Sequence, residues 1–336
     1  GGGWSLEVLA AGAVEAAGWL RRVDVEGLDA GAVAEVVGRE AGVARAGLDP
    51  ERGVMARLVW FDAGGARDGR LLLVVHHLVV DGVSWRVLLP DLAAAHGAVV
   101  AGRPVELEPV GTSFRGWATA LAEAATQDRW TTQLPYWEDV VAARDGRRAD
   151  LGFRPLDPAR DTVATAESFT LDLSVGETEK LLTSVPAVFR AGVNDVLLTA
   201  LALALRQWAP AYAARGVLLD VEGHGRYEDL LGAGHDLSRT VGWFTSMYPV
   251  RVDPGPLEWA EVVAAGPEVG GALKQVKEQL RAVPDQGLGF GLLRYLNPGT
   301  AAVLAGAASP MVGFNYLGRF ATDTGDGGAE HWTSVS

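Results

Sequence analysis

The 336-residue chain is 49% hydrophobic, which is enough apolar material for a sizeable core, and its length permits two domains or two lobes. A net charge of −13, from 29 basic against 42 acidic residues, disfavours nucleic acid as a partner, because an acidic surface repels phosphate backbones. The absence of cysteine excludes disulfides, thiolate catalysis and cysteine-rich zinc sites and fits a reducing, cytoplasmic setting, while 43 glycines and 16 prolines scattered without a repeat disfavour a disordered or collagen-like chain.

In chain order, GGGWSLEVLA lacks the basic start and long apolar stretch of a signal peptide, and a chain without an initiating Met reads as a piece of a longer polypeptide. LLLVV at 71–75 reads as a buried strand. Ser84 is placed to cap a helix from Trp85 to about His96, with Pro90 inside it as an expected kink. A second helix is expected near 114–125. The stretch 140–165, rich in Arg, Asp and Pro without periodicity, reads as a crossover between two halves. SFTLDLS at 168–174 alternates like a half-buried strand, and VGETEKLLTSV like a helix. NDVLLTALALALRQW at 194–208 is a core helix with Pro210 just beyond it. A buried strand follows in GVLLDVEGHGR (216–226), then a helix over 257–281, a final strand at 311–317 and a polar tail from Ala321. No apolar run approaches the length that spans a bilayer.

The first constellation that can carry chemistry is His76-His77-x-x-x-Asp81-Gly82. A strand running into a loop sends successive side chains to opposite faces, so the two histidines have different roles. One holds the strand end, and the other can face a channel. A buried Asp81 requires an arginine, such as Arg226, or backbone donors. Gly82 permits a tight turn. Taken alone, the motif also fits a structural histidine pair near a turn.

Four further segments change this balance. HHLVVDGVSW (76–85) is followed by EGHGR (222–226), RTVGWFTSMYP (239–249), VPDQGLGFG (283–291) and FNYLG (314–318). In this order they resemble the epimerization domains of nonribosomal peptide synthetases. The resemblance runs from about residue 4 to about residue 323, without the family's opening motif and with most of its C-terminal continuation missing. It implies an α/β fold of two similar chloramphenicol-acetyltransferase-like lobes in a V with a central tunnel, divided here as 1–150 and 151–336. The histidine motif would sit at the lobe junction.

The chemistry implied by the resemblance is inversion of the α-carbon of an aminoacyl or peptidyl thioester. The substrate would be presented on the 4′-phosphopantetheine arm of an upstream peptidyl carrier domain, with a condensation domain downstream. No bound cofactor, metal, nucleic acid or membrane is implied. The matching proton-transfer residues are His77 and Glu222. Histidine titrates near neutrality and serves as acid or base; a glutamate at its ordinary value of about 4.3 suits a base and donates only in an apolar setting. The Tyr316 hydroxyl and Asn315 amide are candidate donors to the thioester oxygen. His76, Asp81 and Gly82 are structural at the site, and His224 shapes its strand tip. Trp243 and Phe244 read as packing residues. GLGFG lacks the spacing of a nucleotide loop. The spacing of His76, His77 and His224 fits no common metal site. Two other functions share parts of this pattern: a condensation domain, which has HHxxxDG but generally no glutamate at 222, and a non-catalytic interaction module that has lost its histidine.

Overall fold

The computed structural model describes residues 6–10, 12–142, 154, 157–210, 216–307 and 309–318. Its contacts divide the chain into one unit of Gly1–Leu92 with Val241–Trp243 and a second of Ala93–Thr240 with Phe244–Ser336. This division differs from a lobe change at 150. The crossover expected over 140–165 lies largely outside the described residues, as does the tail from Ala321.

The first unit is a three-stranded sheet of order β1-β2-β3, made by Leu20–Asp24, Ala56–Asp62 and Arg70–Val75. β1 runs parallel to β2, so the connection needs a crossover, supplied by helix α1 (Ala30–Ala46). Asp29 starts that helix by accepting the Ala32 N–H at 2.9 Å. Val33 and Ala44 of α1 pack with Val25, Val59 and Phe61. β3 is antiparallel to β2 and lies at the sheet edge, so its apolar run is half-buried rather than buried. Helix α2 (Trp85–Val100) follows Ser84, whose carbonyl accepts the Val87 and Leu88 N–H groups. It passes through Pro90 and ends four residues beyond the expected His96. Pro90 lies on an exposed side early in the helix, where a missing backbone bond is solvated.

The second unit holds helices α3 (Phe114–Ala124), α4 (Asp128–Thr131), α5 (Leu134–Val141), α6 (Val175–Leu182), α7 (Ser184–Phe189) and α8 (Val193–Trp208). Its sheet has the order β5-β4-β6, with β4 (Val217–Gly223) central, antiparallel to β5 (Ser246–Val252) and parallel to β6 (Gly313–Phe314). Alternation along β4 divides its contacts. Val217, Leu219 and Val221 pack against Leu198, Ala202 and Leu205 of α8, whereas Leu218 joins a cluster with Trp130, Trp137, Leu292 and Leu293.

Three expectations in this unit are corrected. The helix over 257–281 is two helices, α9 (Trp259–Val263) and α10 (Pro267–Arg281). Pro267 starts the second, and Ala265 turns the chain with φ of 50°. SFTLDLS forms no strand and joins no sheet among the described residues, leaving Phe169 and Leu171 87% and 79% exposed. Its alternation specifies a strand face, but a strand also needs a neighbour for its backbone groups. The last strand shrinks to Gly313–Phe314. Among the described residues no single helix is long and apolar enough to cross a membrane. The most apolar pair, Val175–Phe189 and Val193–Trp208, is bent by 100° and includes the core helix α8.

Candidate active site

Two strand tips carry the candidate residues, one in each unit. At the first, β3 ends at Val75 and the chain enters a 3₁₀ turn over His77–Val79. The His76 N–H donates to the Met55 carbonyl at 2.8 Å, and its Nδ1 accepts the Leu78 N–H at 3.1 Å. His76 is thereby fixed at the strand end. The next side chain is free of that bond: His77 is exposed, its ring 4.8 Å from the Trp243 ring and tilted by 51°.

Below the turn, Asp81 is 3% exposed, and its Oδ1 accepts the Ser84 N–H and lies within bonding reach of the Ser84 hydroxyl, both at 2.8 Å. Ser84 is fully buried, and its Oγ also accepts the Gly242 N–H at 3.1 Å. This knot gives a buried carboxyl the donors that burial demands. In the sequence Ser84 reads only as a helix start; its spacing of three from Asp81 is the signal for the knot. Gly82 lies outside the left-handed region, and a Cβ added there would meet nothing within 4 Å. The turn therefore does not depend on a glycine. Trp243 is 44% exposed beside His77 and is not a core packing residue.

The second tip is built more tightly. Glu222 lies opposite Met247 of β5 and is half-buried. Among the described residues no hydrogen bond or ion pair holds its carboxyl. A Cβ on Gly223 would come within 2.4 Å of the Tyr227 hydroxyl, and one on Gly225 within 1.5 Å of the Phe244 carbonyl oxygen. Gly225 also has φ of 68°, so two independent constraints require glycine. His224 Nδ1 accepts the Arg226 N–H at 3.1 Å, and its ring lies 4.6 Å from that of Tyr227. Arg226 donates to the carbonyls of Thr240 and Leu237 at 2.6 and 3.2 Å, with its guanidinium 4.0 Å over the Phe244 ring. Phe244 is buried, as a packing residue should be. Burial pushes the Tyr227 hydroxyl above its ordinary value.

β6 brings two more candidates to this tip. The Asp220 N–H donates to the Val312 carbonyl at 2.9 Å, and the parallel register pairs Asp220 with Gly313 and Val221 with Phe314. That ladder ends at Phe314, and Asn315 and Tyr316 follow it directly along the chain. Asn315 is exposed and Tyr316 half-buried. Thus His76, His77, Asp81 and Gly82 share one tip, and Glu222 ends a strand whose parallel neighbour is followed by Asn315 and Tyr316. Sequence reading misses Asp220. It lies on the Glu222 face of β4, two residues earlier, and burial pushes its carboxyl up to about 6, with the Arg294 guanidinium pulling the other way. Among the described residues no cluster of three or more His, Cys, Asp or Glu side chains could hold a metal ion.

The condensation domain family matches residues 31–331. A linear gramicidin synthase polypeptide of Brevibacillus parabrevis is 42% identical over 282 residues, covering 82% of this chain and 5% of that relative. Chondramide synthase of Chondromyces crocatus is 42% identical over 277 residues, covering 81% of this chain and 6% of that relative. The chain thus spans a small part of the curated relatives it matches. Among solved structures, the epimerization domain from the third module of tyrocidine synthetase B aligns with a TM-score of 0.73 and 31% identity, over 90% of this chain and 64% of that one. The first condensation domain of the calcium-dependent antibiotic synthetase aligns with a TM-score of 0.57 and 23% identity, over 88% and 58%. The X-domain from teicoplanin biosynthesis aligns at 0.62 and 22%, over 88% and 60%. At their identities the last two likenesses show the fold alone. With its α/β units and these neighbours, the protein has the chloramphenicol-acetyltransferase-like fold and belongs to the condensation domain family of nonribosomal peptide synthetases.

Proposed function

We propose that this domain inverts the α-carbon of an aminoacyl or peptidyl thioester, from L to D, while the substrate rides on the 4′-phosphopantetheine arm of an upstream carrier domain. A downstream condensation domain would consume the product, and the setting is a cytoplasmic assembly line. The reaction breaks one Cα–H bond, leaves its electron pair in a thioester enolate, and forms a new Cα–H bond on the opposite face. No atom is gained or lost, so no bound cofactor is called for. Two proton-transfer groups serve this chemistry, His77 and Glu222, each worth about 10²–10⁴ in rate. Donors to the enolate oxygen must add to them, and Asn315 and Tyr316 are the residues assigned that role.

The observation that carries this reading is the Glu222 carboxyl. It stands at a strand tip with no hydrogen bond or ion pair to it among the described residues, on a strand whose neighbour leads into Asn315 and Tyr316. The higher similarity to an epimerization domain than to a condensation domain supports it. A condensation domain would need the histidine motif but not a glutamate here.

The test loads a cognate carrier domain with an L-aminoacyl group and adds the full-length synthetase in D₂O. Chiral analysis of the released amino acid and α-deuterium exchange are followed together. D product with exchange is expected, both lost in His77→Ala, and inversion lost in Glu222→Gln. Peptide formation with an acceptor, without D product or exchange, would overturn the reading in favour of condensation.

A further inference from the structure

Asp220 and Arg294 are two charged residues that the proposed chemistry leaves unused, Asp220 on the strand of the second tip and Arg294 electrostatically coupled to it. Asp220 precedes Glu222 by one pleat on the same face of β4, about 7 Å along the strand. Its cross-strand neighbours are Pro249 on β5 and Gly313 on β6, neither of which offers a side-chain donor. Among the described residues no hydrogen bond reaches its carboxyl.

Arg294 comes from the π turn over Leu292–Leu296. That turn is anchored on both sides. Leu292 and Leu293 are 1% and 0% exposed, the Asn297 N–H donates to the Leu292 carbonyl at 2.9 Å, and the Thr300 hydroxyl donates to the Leu293 carbonyl at 2.7 Å. A π turn inserts one residue into a helical run and re-aims the side chains after it, often at functional sites. Arg294 Nη1 is buried and has no hydrogen-bond partner among the described residues. A buried guanidinium N–H and a half-buried carboxyl, electrostatically coupled yet each short of partners, are costly unless they serve a neighbour.

We propose that Asp220 and Arg294 are a positioning pair for Glu222, holding charge beneath the strand tip so that the Glu222 carboxyl keeps one orientation and one proton occupancy between turnovers. The inference rests on the reading of Glu222 as a proton-transfer group. Asp220 does not touch substrate; it acts through the tip. The ionisable groups facing it are Glu222 on its own strand, Arg251 on β5 and Arg294 on the π turn; the β6 residues opposite, Gly313 and Phe314, add none. Because burial places the Asp220 carboxyl near 6, its charge is lost in mildly acidic solution, and the rate should fall with it.

The experiment measures α-deuterium exchange against pH in the full-length synthetase carrying Asp220→Asn, Arg294→Met or Arg294→Lys, with Glu222→Gln and His77→Ala in parallel. Asp220→Asn is expected to lower kcat by about ten- to a hundredfold, less than the loss of a group that itself transfers the proton. KM should stay within about twofold, and the acidic limb near 6 should disappear, which loss of structure alone would not produce. Arg294→Lys should retain most of the rate that Arg294→Met loses. Thermal melts check folding, and if Asp220→Asn fails to fold, Arg294→Met carries the same comparison. Full rate and an unchanged pH profile in Asp220→Asn, with Glu222→Gln inactive, would overturn the pair and leave the function standing. Full exchange in both Glu222→Gln and His77→Ala would instead overturn the reading of the site.

Discussion

His77 stands at the end of an edge strand, and Glu222 at the end of a central one. The first tip is held by hydrogen bonds among small polar groups: His76 to Leu78, and Asp81 to Ser84 to Gly242. Its glycine has room around it. The second tip is held by close approach. Gly223 lies under the Tyr227 hydroxyl and Gly225 against the Phe244 carbonyl, while Arg226 bridges two carbonyls over an aromatic ring. Polar bonds allow small relaxations, whereas a main-chain contact allows almost none. The difference predicts which substitutions each tip tolerates.

The largest effect should follow Gly225→Ala. Its Cβ would overlap the Phe244 carbonyl oxygen, and alanine resists the left-handed φ. A loss of about 3 kcal/mol or more is expected in urea denaturation; a stable variant with an unshifted midpoint would show that the second tip is as yielding as the first. Ser84→Ala comes next. It strips one donor from buried Asp81 and leaves the Gly242 N–H unpaired, for about 2 kcal/mol in the same measurement.

Asp220→Asn should have a smaller and pH-dependent effect. The folded carboxyl titrates near 6, above the unfolded value of about 3.9, so the folded state binds its proton more tightly. That contribution is fully present below the unfolded value and is lost as pH rises through 6. Asparagine, which cannot ionise, should therefore be more stable than the parent at pH 8 by about 1 kcal/mol once solvent screening of a half-exposed group is allowed for, and the gap should close towards pH 4. Urea unfolding at both pH values measures it. Smallest of all is Gly82→Ala, expected within about 0.5 kcal/mol of the parent, since nothing lies near its new Cβ. A large loss there would erase the contrast between the tips.

Much of this is legible in the residues. The apolar runs at 71–75 and 216–222 and the periodicity of 194–208 mark the strands and the core helix, because burial imposes those patterns directly. The adjacent histidines and EGHGR mark the two tips. Less visible is what depends on a distant partner. SFTLDLS has a strand's alternation but no neighbour among the described residues, and an edge position leaves β3 half-buried despite its composition. Trp243 looks like a core residue until the fold sets it beside His77. Asp220 is hidden inside the apolar run of β4, and its link to the tip shows only when strand alternation puts it on the Glu222 face.

The bond between Ser84 and Gly242 spans 158 residues of chain, whereas the cross-strand pair Gly223–Ser246 joins β4 to the next strand along the chain. The histidine tip is therefore made far earlier than the glutamate tip, yet both wait for nearly the same stretch of chain, Gly242 and Ser246. The histidine tip leaves the ribosome first, yet its buried serine meets the Gly242 N–H only about 8–30 s later at 5–20 residues per second. The β4–β5 pairing at the glutamate tip can form within about a second or two of the translation of β4 at the faster rates, while the β6 pairing waits for Gly313 and Phe314. Contact order thus makes the earlier-made tip wait longest for its partner, and both tips gain their cross-chain partners as the same short stretch, Gly242 to Ser246, is completed.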